Sequence, residues 1–177
     1  MSALTDRMIR AARLDVNLYE EVEADKNTMG QATTVVVLSS VAAGIGSFAD
    51  GGIPGIIIIT LGTLLGWYVW AYLTYFIGTR LLAEPQTQAD LGELLRTIGF
   101  SSSPGLLRVL GIIPGLSRVV SVGAGLWMLV AMIIAVRQAL DYTSTWRAIA
   151  VCAIGWVVQI LLLVLLFAAL GGPHPPG

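Results

Sequence analysis

The sequence holds one histidine, one cysteine and only 12% charged residues in 177, and each shortage excludes something. His174 stands in the C-terminal tail. Intramembrane metalloproteases, rhomboid-type serine proteases and lipid phosphatases all need a histidine beside the reacting centre, as ligand or base. Haem or chlorophyll held by membrane histidines needs one inside a span. Cys152 is alone, so no intramolecular disulfide forms and the redox compartment stays open. There is no Cys/His cluster, no phosphate-cradling glycine loop and no carboxylate pair within a span. No catalysis, cofactor or metal is therefore expected. A net charge of −1 lacks the concentrated basic surface of a nucleic-acid partner. The first 26 residues have no apolar h-region, so a cleavable signal peptide is not expected.

Charge is missing in blocks. Residues 33–49, 51–79, 119–136 and 148–177 contain no Asp, Glu, Lys or Arg. Three of these hold apolar runs near or beyond the ~20 residues that cross a bilayer core. With 56% apolar residues and a mean hydropathy of +0.81, a soluble domain would expose too much of that surface to water. The fold class is all-α, a multi-pass transmembrane bundle of about five membrane segments preceded by an amphipathic helix. Three regions follow: a cytoplasmic arm at 1–30, a membrane domain at 31–170 and a disordered tail at 171–177.

In the arm, Leu4, Met8, Ala11, Leu14, Leu18 and Val22 recur at helical spacing and predict one amphipathic helix over 3–25, with Asp15 interrupting its apolar face. Arg7, Arg10 and Arg13 come first, then Glu20, Glu21, Glu23 and Asp25. The basic half suits anionic head groups; the acidic half stands off the membrane or meets a partner. The alternative is a solvated cytoplasmic arm.

The first span, 31–49, is rich in small residues. Ser40/Gly44 and Ala42/Gly46 sit four apart, the spacing of a close helix–helix face. Asp50-Gly51-Gly52 predicts a tight turn. The second span, 53–78, carries Gly62 and Gly66 four apart, and then Trp67, Tyr68, Trp70, Tyr72, Tyr75 and Phe76. These aromatics read as an interfacial belt; the tyrosine face is also able to line a ligand site. Within 79–103, "ADLGELLRTIGF" predicts a short amphipathic helix able to lie in the interface plane. "SSSPGLLRVLGIIPGLS" then brings two Pro-Gly pairs, Pro104-Gly105 and Pro114-Gly115, and its apolar stretch between Arg108 and Arg118 is too short to span by itself. It is a short broken helix or a re-entrant segment. Spans at 119–136 and 148–170 complete the set.

With five segments and the N-terminus inside, the inner side holds Arg7, Arg10, Arg13, Lys26, Arg80, Arg96, Arg137 and Arg147, and the outer loops hold only Arg118. This is a strong positive-inside bias, with the C-terminus outside. A four-span arrangement with a re-entrant third segment is nearly as good and puts the C-terminus inside. Arg108 falls in the short segment. It either snorkels to head groups or pairs with Asp141 or a carboxylate between Glu20 and Asp25. Arg137 and Asp141, four apart, predict a pair on one helix face. The acidic stretch is further expected to pair with Arg108, Arg137 or Arg147 and fold the arm onto the bundle.

The order of these pieces resembles the Yip1 family, in particular its bacterial members. The pieces are "LYEEVEAD" before the first span, "WAYLTYFIGTRL" closing the second, "ELLRTIGFSSSPGLLRVLGIIPGL" through the broken third, and "LWMLVAMIIAVRQALDYTSTWRAI" leading into the last. The resemblance implies a multi-pass integral membrane protein with a cytoplasmic arm. Eukaryotic members act in membrane traffic and contact Rab-type GTPases through that arm. Here "LDVNLYEEVEAD" stands where their "DLYGP"-type motif would be, so a Rab-type partner is not carried over.

Two functional classes result. One is a non-enzymatic scaffold or adaptor in the cell's inner membrane, whose partners are membrane lipids and another membrane protein or a second copy. The other is a small-solute or ion transporter using the broken third segment. A cavity lined by Thr60, Thr63, Tyr68 or Tyr72 would favour transport; a dry, closely packed interior would favour the scaffold.

Overall fold

The computed structural model describes residues 2–169, except the side chains at 49–51, 163, 166, 167 and 169; the tail expected at 171–177 lies outside the described residues. The arm is two helices, α1 (Ala3–Ala12) and α2 (Val16–Ala24), where one was expected. The break comes at Leu14, with φ at +62°, and Asp15 then caps α2 by accepting from the Asn17 amide at 3.0 Å. The residue that interrupts the apolar face is thus an N-cap, which favours non-helical backbone.

α3 (Met29–Gly46) leads away from the arm and α4 (Phe48–Phe76) returns. The return bends at Gly52, whose φ of +56° is a conformation glycine adopts without a Cβ clash. α4 ends in a π-helical turn, Ile77–Leu81. There Gly78 lies against Leu140 and its carbonyl accepts from the Tyr142 hydroxyl at 2.9 Å. α5 (Leu91–Ser101) opens with a capping box between Asp90 and Glu93 and passes into a 3₁₀ stretch, Ser103–Ile112. α6 (Ser117–Ala139) and α7 (Thr145–Ala169) follow.

α3, α4, α6 and α7 are each long and apolar enough to cross a membrane. The segment expected to make the third passage comes in two pieces. α5 and the 3₁₀ stretch run beside α3 in the same direction: Gly99 lies on Ala32, Ser39 Oγ donates to the Ser102 carbonyl at 2.8 Å, and Gly111 meets Gly46. Eleven residues of α-helix and ten of 3₁₀ helix give roughly 36 Å, enough for a core of about 30 Å. The segment therefore begins at Leu91, well before the stretch the sequence marks. α5 is not interfacial: Leu94 to Ser101 are all buried, because the bundle closes around the whole helix.

The core lies toward the arm end. One cluster joins Trp70, Ile77, Leu94, Ile98, Leu140 and Val151. A second joins Ala11, Leu18, Tyr19 and Val22 of the arm to Ala32, Val35, Phe100 and Ala135, so the arm is part of the folded body. The outer surface is apolar, with Ile58 and Val119 each 70% exposed, and suits lipid rather than water.

Candidate functional site

The seam between arm and bundle gathers most of the chain's ionic chemistry. α2 rests on α5 and α6 through Leu18, Tyr19 and Val22, all fully buried. Beneath it lies Arg96, only 3% exposed. Arg96 Nε donates to the Val22 carbonyl at 2.8 Å and Nη2 donates to the Glu23 carbonyl. These carbonyls end α2, where a helix leaves acceptors unpaired and its dipole favours a cation. Trp127 Nε1 donates to the Ala12 carbonyl at 2.8 Å, holding the end of α1. Gln138 Nε2 donates to Glu20 Oε1 at 2.9 Å.

The arm docks, but through other partners than the acid–arginine pairs expected. Glu21 takes Arg7 at 2.8 Å and Arg10 at 2.5 Å; Asp25 takes Arg7 at 3.5 Å; Asp15 takes Arg10 at 2.8 Å. The basic and acidic halves fold on each other, which withdraws Arg7 and Arg10 from head groups and Glu21 and Asp25 from the arginines of α6 and α7. The Arg10 guanidinium holds the carboxyls of Glu21 and Asp15 below their ordinary range. Arg147 pairs instead with Glu84 at 3.1 Å, and Glu84 also accepts from the Thr143 amide and hydroxyl.

Arg137 and Asp141 do not pair among the described residues. α6 ends at Ala139, and Asp141 sits in a turn with φ at +52°, so the two never share a helix face. Arg137 donates to the carbonyls of Tyr142 and Thr143 at 3.2 and 3.3 Å. Beside it an open recess of about 560 Å³ gathers Glu20, Glu23, Glu93, Gln138 and Asp141. Burial, reinforced by the Glu93 and Asp141 carboxylates, pushes the Glu23 carboxyl up to about 7.

The family profile described as the Yip1 domain matches residues 19–167. The chain belongs to the Yip1 family. No curated protein and no solved structure matches it. The matched region begins at Tyr19, within α2, so it takes in the recess and most of α2, whereas α1, Asp15 and Leu18 precede it.

The small-residue faces of this Yip1 domain differ. Ser40 and Gly44 are buried; a Cβ on Gly44 would come 2.9 Å from Ile56 Cα, and one on Gly46 would strike the Arg108 carbonyl. This face carries α4 and the 3₁₀ stretch. Gly62 has nothing against it, and Gly66 meets only Gln159. The second pair therefore faces outward or into open space, since equal spacing does not say whether a neighbour is present.

A second cavity, about 830 Å³, lies between α4, α6 and α7 and reaches Ser101, Ser102 and Arg108. Thr63 lines it, whereas Tyr68 and Tyr72 are exposed on the outer surface. Arg108 meets neither Asp141 nor the arm's carboxylates among the described residues. Sequence reasoning missed Arg96, Trp127 and Glu84.

Proposed function

We propose that this Yip1-family protein is a non-enzymatic scaffold or adaptor of the cell's inner membrane, whose docked arm and acidic recess receive another membrane protein or a second copy of the chain. The recess carries the reading. Glu20, Glu23, Glu93 and Asp141 converge there, and the one cation lining the recess among the described residues, Arg137, gives its Nε and Nη2 to backbone carbonyls. A segment bearing Lys or Arg complements it. The apolar flanks organise lipid. A Rab-type GTPase is not proposed. A photo-crosslinker at Glu20 in native membranes should yield protein adducts that Glu93→Lys abolishes. Adducts to lipid alone, or adducts indifferent to Glu93→Lys, would overturn the reading.

The arm end faces the cytoplasm in this proposal, because it holds Arg7, Arg10, Arg13, Lys26, Arg80, Arg96, Arg137 and Arg147 against Arg108 and Arg118 toward the far end. Five passages then put the C-terminus outside. Reporter fusions within residues 84–90 and after Gly177 should report opposite sides; the same side for both would remove one passage.

The larger cavity and the broken third passage favour a second reading, transport of a small solute or ion. Its lining is mainly apolar, which suits a chain better than a hydrated ion. Solute flux in proteoliposomes above that of empty vesicles would favour transport over the scaffold.

A further inference from the structure

The larger cavity holds a charge that nothing described neutralises. Arg108 lies in the 3₁₀ stretch, level with Gly46 at the end of α3, and its Nη2 faces Gly125 of α6. Its Nε is buried without a hydrogen-bond partner, and no ion pair to it forms among the described residues. A guanidinium among apolar walls is costly unless an anion meets it. Trp70 also lines the cavity; it is 9% exposed and its Nε1 has no partner. The remaining walls include Trp67, Met128, Met132, Cys152 and Ile160. A volume of about 830 Å³ with apolar walls and a few polar groups is the form of a small-molecule site.

The cavity is open sideways. The first turns of α7 are packed, with Ala148, Val151 and Cys152 buried, but Trp156 is 62% exposed and Val157, Leu161 and Leu165 also face out. The far-end half of α7 thus stands off its neighbours, where a bilayer lipid can enter. An occupant must be anionic at the Arg108 end and apolar along the rest.

We propose that this cavity binds one anionic phospholipid from the leaflet at the far end of the bundle, its phosphate on Arg108 and an acyl chain running between α4, α6 and α7 toward Trp70 and Cys152. Arg matches phosphate geometry through paired N–H donors. Gln159 also lines the cavity, beside Gly66 and nearer the arm end. This site is distinct from the arm recess, and its failure leaves the scaffold reading untouched.

The test places the full-length protein in nanodiscs of phosphatidylglycerol diluted in phosphatidylcholine, releases it into mild detergent and identifies retained lipid by native mass spectrometry. The expected result is one retained phosphatidylglycerol per chain, enriched about tenfold over its share of the bilayer, the scale of one charge-assisted contact. Arg108→Lys should keep most of that enrichment and Arg108→Gln should lose it. Ala153→Phe, which fills the cavity from an exposed position, should retain neither lipid and keeps the test decisive where Arg108→Gln fails to fold. No retained lipid, equal retention of the two headgroups, or enrichment that survives both Arg108→Gln and Ala153→Phe would overturn the proposal.

Discussion

Arg96 and Val22 are separated by 74 residues, yet Nε of the one donates to the carbonyl of the other at 2.8 Å. This bond ties the third passage to the end of α2 and makes the arm's docking depend on a residue inside the bundle. Thr28 Oγ1 donates to the same carbonyl at 3.1 Å, so the chain entering α3 is held at one point with α2.

Arg96→Met should release the arm. It leaves the Glu23 carbonyl without its donor, a loss of about 1.5–3 kcal/mol for a hydrogen bond to a charged group. Arg96→Lys should recover part of this, since an ammonium reaches one carbonyl but not both. Limited proteolysis in mild detergent reads the outcome as faster cleavage between α1 and α3. Unchanged cleavage in Arg96→Met would show that apolar contacts alone hold the arm.

Glu21 should couple to Arg10 and not to Arg137 or Arg147. Glu21→Arg is expected to destabilise, and Arg10→Glu in the same chain to restore part of the loss. The groups are partly exposed, so the coupling should be about 0.3–1 kcal/mol. Double-mutant cycles with Arg137→Glu or Arg147→Glu should be additive. Thermal melts in detergent measure all three, and coupling to Arg137 would contradict the geometry.

The two glycine pairs should respond differently. Gly44→Leu and Gly46→Leu force a side chain into Ile56 and the Arg108 backbone and should cost at least about 1–3 kcal/mol. Gly62→Leu meets open space and should stay within about 0.5 kcal/mol. Equal effects in a detergent melt would mean that the outer face of α4 is also packed.

Uncharged runs made the long helices legible, because a bilayer core admits little else and their lengths match its thickness. The composite third passage was hidden for the same reason. Glu93, Arg96, Thr97 and Ser101 read as polar surface, yet backbone carbonyls satisfy Arg96, Thr97 and Ser101 within the fold, and one of those acceptors is 74 residues away. Docking of the arm was expected from its acidic stretch, whereas its apolar face and Arg96 are what make it. Its ion pairs were not legible: eight candidate charges lie within residues 7–25, and only the turn at Leu14, a residue with no turn propensity, folds Arg7 and Arg10 back on Glu21. Gly44 and Gly62 show the limit from the other side, since a spacing identifies a face and not what covers it.

Glu23 should make the arm's docking sensitive to pH near neutrality. Its carboxyl is pushed from an ordinary 4.5 up to about 7 by burial and by the Glu93 and Asp141 carboxylates, against the opposing pull of Arg96. Between those values the folded chain binds more protons at this site than the unfolded chain, so stability falls as pH rises through about 4.5 to 7 and the loss is complete above that. Glu21 and Asp15 act in the opposite sense, their lowered values adding stability that is lost only as pH falls into the acid range. The two effects occupy different windows and are separable. Glu23→Gln keeps the shape and removes the charge, so it should protect the arm at pH 8 while changing little at pH 5. Hydrogen exchange over residues 16–28 at the two pH values, corrected for intrinsic rates, measures the difference. Equal protection of parent and Glu23→Gln at pH 8 would mean that Glu23 ionises without strain and that the recess is more open to water than its geometry indicates.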